Sequence, residues 1–176
     1  MKRNLRALIL TAIFAALSIV LGKFAAVNIG DTIRISFESF PIMLTSFLFG
    51  PFYGLACGVL ADVLGCVLRG YALIPLITVA SALMGVIPGL LKRFLPVKNQ
   101  TAKIMISGIA AHVVCSMIIK TVALDLVYKT GFFALLATRV PVYIVTSVVE
   151  SYLCAVILKM KFVKRKTAEF GEKTNE

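Results

Sequence analysis

Long apolar stretches alternate with short polar ones along most of the chain, and this alternation predicts a bundle of membrane-spanning helices. A transmembrane helix needs about 20 consecutive, mostly apolar residues. Five stretches are near or above that length and a sixth is clearly shorter. The predicted helices are Leu5–Ala26, Phe40–Gly50, Phe52–Leu68, Tyr71–Leu91, Ile104–Tyr128 and Phe132–Met160.

The stretch Phe40–Leu68 can be interpreted as one helix or as two. A single helix of this length would measure about 43 Å at 1.5 Å per residue, which exceeds the hydrocarbon thickness of roughly 30 Å. The Gly50-Pro51 pair near its middle predicts a break. The first of two helices would have only about 11 residues, too few to cross the membrane without tilt or support from neighbours.

The basic residues distinguish six crossings from five. With six crossings and the N-terminus inside, thirteen Lys and Arg residues face the cytoplasm, five face outward and Lys120 lies within a helix. The outward-facing five are Lys23, Arg34, Arg69, Lys129 and Arg139. With five crossings the outer side would carry twelve and the inner side six. Because cytoplasmic loops carry the excess of Lys and Arg, we expect an all-α integral membrane protein with six transmembrane helices, a short second helix and cytoplasmic N- and C-termini.

The composition favours a bilayer as the solvent. The 176 residues are 60% hydrophobic and 15% charged, with a mean hydropathy of +0.97, whereas soluble domains are near half apolar and a quarter charged. The net charge of +11 comes from basic residues at the ends of apolar stretches, so nucleic acid is not expected as a partner. We expect one membrane domain over residues 1–165 and a polar cytoplasmic tail over residues 166–176.

The polar stretch Asn28–Ser39 is then an extracytoplasmic loop. Its second half, residues 32–37, alternates polar and apolar side chains with a β-like period, and Gly30-Asp31 is a turn signal. The sequence is compatible with a small structured lid and equally with an ordinary connecting loop.

Ionisable residues at membrane depth are the main candidates for chemistry. Asp62, His112, Lys120, Asp125 and Glu150 lie inside predicted helices, where a charge costs at least about 2.5–3.5 kcal/mol at mid-bilayer. They should therefore face the interior of the bundle and find partners. The predicted topology brings several of them to the outer side, where they either line a polar cavity or pair with one another to hold helices together.

The cationic members favour an anionic ligand. Arg34, Arg69, Lys120 and Arg139 are suited to a carboxylate, which arginine contacts with two parallel hydrogen bonds. Asp62 is suited to accept hydrogen bonds from ring amines. The rings of Phe37, Tyr71 and Phe132 are suited to stack on a flat heterocycle.

The sequence contains no enzymatic motif and no phosphate-binding loop. We therefore expect neither an enzyme nor a chain that can drive transport with ATP by itself. The four cysteines lie singly in apolar stretches and the chain has one histidine, so no metal site or cofactor is expected.

Several stretches carry a resemblance to a known family. They are Ile33–Phe37, Phe40–Ile42, Leu48–Gly54 and Gly58–Gly65, together with Thr78, Gly85, Arg139 and Pro141. With the six-helix layout, they make the chain resemble the substrate-binding S components of energy-coupling-factor (ECF) vitamin transporters. Within that group it looks most like the folate-type members.

The resemblance implies a function and partners. S components of this kind bind a vitamin, here most simply folate or a related pterin, in an outward-facing cavity of the bacterial plasma membrane. They dock on a transmembrane coupling subunit that joins two ATPases. The resemblance assigns the docking contacts to a small-residue motif in the first helix, which Ala12 and Ala16 match; packing within the bundle is the alternative for these alanines.

The residues and the resemblance together give a set of candidate ligand-binding side chains. The set is Arg34, Phe37, Glu38, Asp62, Arg69, Tyr71, Thr78, His112, Lys120 and Arg139. Two departures from the folate-type pattern leave a different vitamin or small metabolite open. Lys120 stands where an amide is usual, and the chain has no tryptophan. A structural membrane scaffold of the rod-shape-determination type is a further alternative, since such proteins have a similar size and helix count.

Overall fold

The computed structural model describes residues 2–24, 26–29, 33–70, 72–129 and 131–160. These form a helical bundle with one short hairpin. The elements are α1 (Lys2–Phe24), β1 (Val27–Ile29), β2 (Ile33–Ile35), α2 (Ser39–Phe49), α3 (Pro51–Arg69), α4 (Pro75–Phe94), α5 (Gln100–His112), a π-helical segment (Val113–Ile119), α6 (Lys120–Tyr128) and α7 (Phe132–Lys159).

The predicted architecture of six transmembrane helices with a short second helix is confirmed. In the described part of the chain, five helical rods are long and apolar enough to cross a membrane, and α2 is the shorter apolar helix. One of the five rods comprises α5, the π-helical segment and α6. The side of the membrane on which the termini lie stays a prediction, and residues 166–176 of the predicted tail lie outside the described residues.

Helix α2 is stabilised by burial on nearly all sides. Residues 41–47 are all buried, and α2 contacts α1, α3, α4 and α7, as expected for a helix that is apolar all round. Its last turn ends at Gly50, whose φ of 101° suits glycine. There Lys92 Nζ donates to the carbonyl oxygen of Phe47 at 3.1 Å. This contact satisfies a terminal carbonyl that would otherwise be costly at membrane depth.

Helices α3 and α4 approach each other through glycine backbones. A Cβ added to Gly54 would overlap the carbonyl oxygen of Gly85, and one added to Gly58 would overlap that of Ser81. Small residues four positions apart permit this close packing in lipid. The contact fixes α4 beside the α3 face that carries Asp62.

The fifth crossing contains the π-helical segment, which the apolar pattern does not reveal. The Lys120 N–H donates to the carbonyl oxygen of Cys115, five residues back. Each such turn accommodates one extra residue, which rotates Lys120 by about a quarter turn from the phase that an uninterrupted α-helix would give it. This rotation sets the direction in which α6 presents its first side chain.

The loop between α1 and α2 contains an antiparallel pair of strands. Asn28 pairs with Arg34, and Val27 and Ile29 pair with Ile35 and Ile33. The β-like period predicted for residues 32–37 is thus confirmed over Ile33–Ile35. The hairpin lies near the C-terminal end of α1 and the start of α2, and we call this end of the bundle the hairpin end.

Candidate functional site

A small polar cavity lies at the hairpin end, among α1, α2, α3, α4 and α6. Ile42 and Met84 form part of its apolar wall, and its polar lining residues are Ser18, Glu38, Ser39, Asp62, Arg69, Ser81 and Lys120. The free volume is about 30 Å³, enough for a water molecule or two. Pockets for organic ligands usually enclose about 300 Å³ or more. In this conformation the cavity is therefore too small for a pterin ring.

Glu38 occupies the centre of an ion cluster in this cavity. Its Oε2 lies 3.4 Å from Arg69 Nη2, and its Oε1 lies 3.5 Å from Lys120 Nζ. The three residues come from the start of α2, the end of α3 and the start of α6. The cluster therefore joins elements that are distant in sequence. The sequence also allows Lys120 to pair with Asp125, which lies in the same predicted helix. In the structure, Lys120 pairs with Glu38 instead.

Two features accommodate the Arg69 guanidinium. Helix α3 ends at Gly70, whose φ of 68° gives a left-handed C-cap directly after Arg69. On the facing helix, a Cβ on Gly22 would overlap Arg69 Nη2 and lie 2.7 Å from Glu38 Oε2. Arg69 Nε is buried and has no hydrogen-bond partner among the described residues. The guanidinium thus retains donor capacity within the cavity wall.

Asp62 is held between α3 and α4 by two hydroxyl groups. Thr78 Oγ1 donates to Asp62 Oδ2 at 2.7 Å, and Ser81 Oγ lies 3.4 Å from Oδ1. These contacts orient the carboxylate toward the cavity that it lines. Thr78 therefore supports Asp62, a role consistent with its place in the predicted set.

His112 and Glu150 form a second buried pair. His112 Nε2 lies 2.8 Å from Glu150 Oε2, and the two side chains are 4% and 0% exposed. Ser116 Oγ approaches His112 Nδ1 at 3.5 Å. His112 is not among the residues that line the cavity. It is instead the partner of Glu150, for which the sequence suggested none. This pair connects α5 to α7.

Two further candidates, Arg139 and Phe37, are described but do not line the cavity. Arg139 is half-buried in α7 and its Nε has no hydrogen-bond partner among the described residues. Phe37 is half-buried in the segment that leads into α2. Tyr71 and the side chain of Arg34 lie outside the described residues. The structure therefore joins Glu38, Asp62, Arg69 and Lys120 in one cavity. Of the other described candidates, Phe37, Thr78, His112 and Arg139 do not line it.

Ala12 and Ala16 lie on the outside of the bundle. The buried stripe of α1 is formed by Ala7, Thr11, Ala15 and Ser18, whereas Ala12 and Ala16 are exposed. Exposed apolar side chains such as Leu8, Ile9 and Ile13 surround the two alanines. Packing within the described bundle therefore leaves these two small side chains uncovered.

Comparison with protein families gives one match that spans most of the chain. The model of the family described as "ECF-type riboflavin transporter, S component" matches residues 2–163. Among curated proteins, the chain is 28% identical over 129 residues to "Uncharacterized protein MG313 homolog" of Mycoplasma pneumoniae (strain ATCC 29342 / M129 / Subtype 1). That match covers 73% of the chain and 45% of the relative, so the chain spans about half the length of this curated relative.

Two solved structures share the fold. "Crystal structure of FolT bound with folic acid" superposes with a TM-score of 0.70 at 23% identity, covering 84% of this chain and 89% of that one. "Structure and mechanism of the S component of a bacterial ECF transporter" superposes with a TM-score of 0.56 at 19% identity, covering 95% and 98%. At these identities the superpositions establish the fold of the bundle.

Proposed function

Because the chain belongs to the family of ECF-type riboflavin transporter S components, we propose that it captures a vitamin for ATP-driven uptake through a partner module. The family consists of membrane transporter components, not of enzymes. The proposed ligand is folate or a related pterin. It would bind at the hairpin end of the bundle, which the distribution of Lys and Arg assigns to the outer side of the plasma membrane.

The observation that carries this proposal is the group of charged side chains in the cavity. Arg69 and Lys120 supply two cations and Asp62 supplies an oriented acceptor, all within one cavity of the bundle. Buried charges are costly in a membrane and mark ligand sites by default. Folate carries carboxylates that suit the cations, and its pterin ring carries N–H donors that suit Asp62.

Riboflavin is the second candidate, favoured by the description of the matching family. Riboflavin has no carboxylate, so it would leave Arg69 and Lys120 without an anionic partner from the ligand. The folate-bound structure with the same fold supports folate over riboflavin. A scaffold role is disfavoured by the family match.

The partner proposed for this chain is a transmembrane coupling subunit that carries two ATPases. The exposure of Ala12 and Ala16 on α1 supports docking there, because small residues let helix backbones approach closely in lipid. Since these 176 residues contain no phosphate-binding loop, the proposal assigns ATP hydrolysis to the partner module.

A calorimetric titration of the purified chain in nanodiscs tests the proposal. Folate, riboflavin, thiamine, pantothenate and biotin are titrated in turn, and saturable heat is expected for folate with a Kd at or below the micromolar range. Asp62→Asn should weaken folate binding, whereas Asp125→Asn is the matched control because Asp125 accepts from the Gly131 N–H outside the cavity. Absence of saturable binding for all five vitamins would contradict the proposal.

A further inference from the structure

The cavity contains its own anion. Among the described residues that line it, Glu38 is the only carboxylate besides Asp62, and it contacts both lining cations. Asp62 is held by Thr78 and Ser81 instead. The position between Arg69 and Lys120, where a ligand carboxylate would bind, is therefore filled by a side chain of the protein.

The contacts of Glu38 with the two cations are long for pairs of this kind. Charge-assisted N–H···O bonds are typically about 2.7–2.9 Å, whereas the two contacts here are 3.4 and 3.5 Å. The Glu38 side chain is also the most exposed of the three, at 26% against 16% for Arg69 and 14% for Lys120. A group at the solvent side can be exchanged more readily than one buried behind its partners.

The backbone of Glu38 is anchored independently of its carboxylate. Ser18 Oγ donates to the Glu38 carbonyl oxygen at 2.5 Å, which ties this position to α1. The carboxylate can therefore leave by rotation about side-chain bonds without displacement of α2. Its departure would vacate part of a cavity whose present free volume is only about 30 Å³.

We propose that Glu38 is a built-in substitute for the anionic group of the ligand, and that the site takes only ligands whose own carboxylate displaces it. This inference rests on the proposed function and specifies the ligand class for the same cavity. A ligand carboxylate replaces the Glu38 carboxylate one for one and leaves both cations paired. A neutral ligand that moved Glu38 aside would leave two cations desolvated and unpaired, which is strongly unfavourable. Every ligand therefore has to displace Glu38, and only an anionic one restores the pairing of the two cations.

The test compares wild type with Glu38→Gln and Glu38→Ala in the same nanodisc titration. If the displaced state makes up no more than about a tenth of the unliganded protein, removal of the internal anion raises folate affinity at least about tenfold. Two variants are used because the amide of the glutamine variant retains hydrogen-bonding atoms that the methyl group of the alanine variant lacks. Neutral 6-hydroxymethylpterin should gain by a similar factor, because it too no longer has to displace the internal anion, and should still bind more weakly than folate because it leaves both cations unpaired. Unchanged or weaker folate binding in both variants would overturn the inference and leave the proposed function standing.

A second probe separates this inference from the proposed function. Benzoate, a small carboxylate, should raise the Tm of Glu38→Gln but not that of wild type at equal concentration. The double variant with Lys120→Met should lose this effect. If wild type binds no vitamin while Glu38→Gln still responds to benzoate, the proposed function fails and the anion site stands. If neither protein responds to benzoate, the anion site is refuted.

Discussion

At the scale of single residues, the described part of the bundle contains two ionisable clusters with different packing. Glu38, Arg69 and Lys120 are partly exposed and separated by 3.4–3.5 Å. His112 and Glu150 are almost fully buried at 2.8 Å. A partly exposed cluster with long contacts suits the exchange of one partner for a ligand. A short, buried contact suits the joining of two helices. Stability and binding should therefore respond differently to substitutions in the two clusters.

Substitution of the buried pair should destabilise the fold in a coupled manner. We expect a double-mutant cycle of His112→Ala and Glu150→Ala to give an interaction energy of about 0.6–2 kcal/mol, because each residue leaves the other without its partner. The measurement is unfolding in mixed detergent micelles. His112→Ala combined with Asp125→Ala is the control cycle, and it should be additive. Additivity in the His112–Glu150 cycle would refute the structural role of this contact.

At the scale of elements, helices α3 and α4 depend on backbone contact at glycine. Gly54 and Gly85 face each other so closely that no side chain fits between them, and Asp62 lies on α3 two turns beyond Gly54. The contact therefore stabilises the fold and keeps Thr78 within hydrogen-bonding distance of Asp62.

Gly54→Ala should destabilise the protein by about 1–3 kcal/mol, the usual cost of overpacking. The added methyl group overlaps the Gly85 carbonyl oxygen, which is backbone and cannot rotate away. Gly65→Ala on the same helix is the matched control, since its Cβ would meet its nearest atom at 3.6 Å. Unfolding in mixed micelles measures both. Equal effects of the two substitutions on the free energy of unfolding would show that the close α3–α4 contact does not determine stability.

Some elements could be predicted from the sequence and others could not, for identifiable reasons. Apolar length predicts the long helices, and Gly50-Pro51 predicts the end of α2. The π-helical segment has no such signal, because Val113–Ile119 contains neither proline nor glycine. The pairing of Lys120 with Glu38 depends on the phase of α6 after this segment. Sequence reasoning therefore assigned both residues to the candidate site without identifying them as partners.

At the scale of the whole molecule, the charge distribution predicts the orientation of the bundle. The hairpin end carries Arg69 and Lys120 beside the cavity, while the opposite end carries Lys92 and Arg93 at the close of α4. Because the excess of Lys and Arg in the sequence belongs to the opposite end, we expect that end to face the cytoplasm and the cavity to face outward.

Fusions at the C-terminus test this orientation. A green fluorescent protein fused there should fluoresce, and an alkaline phosphatase fused there should be inactive, because the former folds in the cytoplasm and the latter only in an oxidising compartment. The reverse pattern would place the cavity on the cytoplasmic side and would contradict capture of a vitamin from outside.

The central claim is that the cations of this cavity bind the ligand. Its most direct measurement is a folate titration of Lys120→Met beside Lys129→Met, each made in the Glu38→Gln background, where no internal anion competes for Lys120. Lys120 contacts Glu38 within the cavity, whereas Lys129 is an exposed residue beyond the end of α6. Loss of a partly buried charge partner costs about 2–5 kcal/mol, so we expect folate affinity to fall by roughly thirtyfold or more in Lys120→Met and to stay unchanged in Lys129→Met. A folate affinity in the Lys120→Met variant equal to that of Glu38→Gln alone would contradict the account.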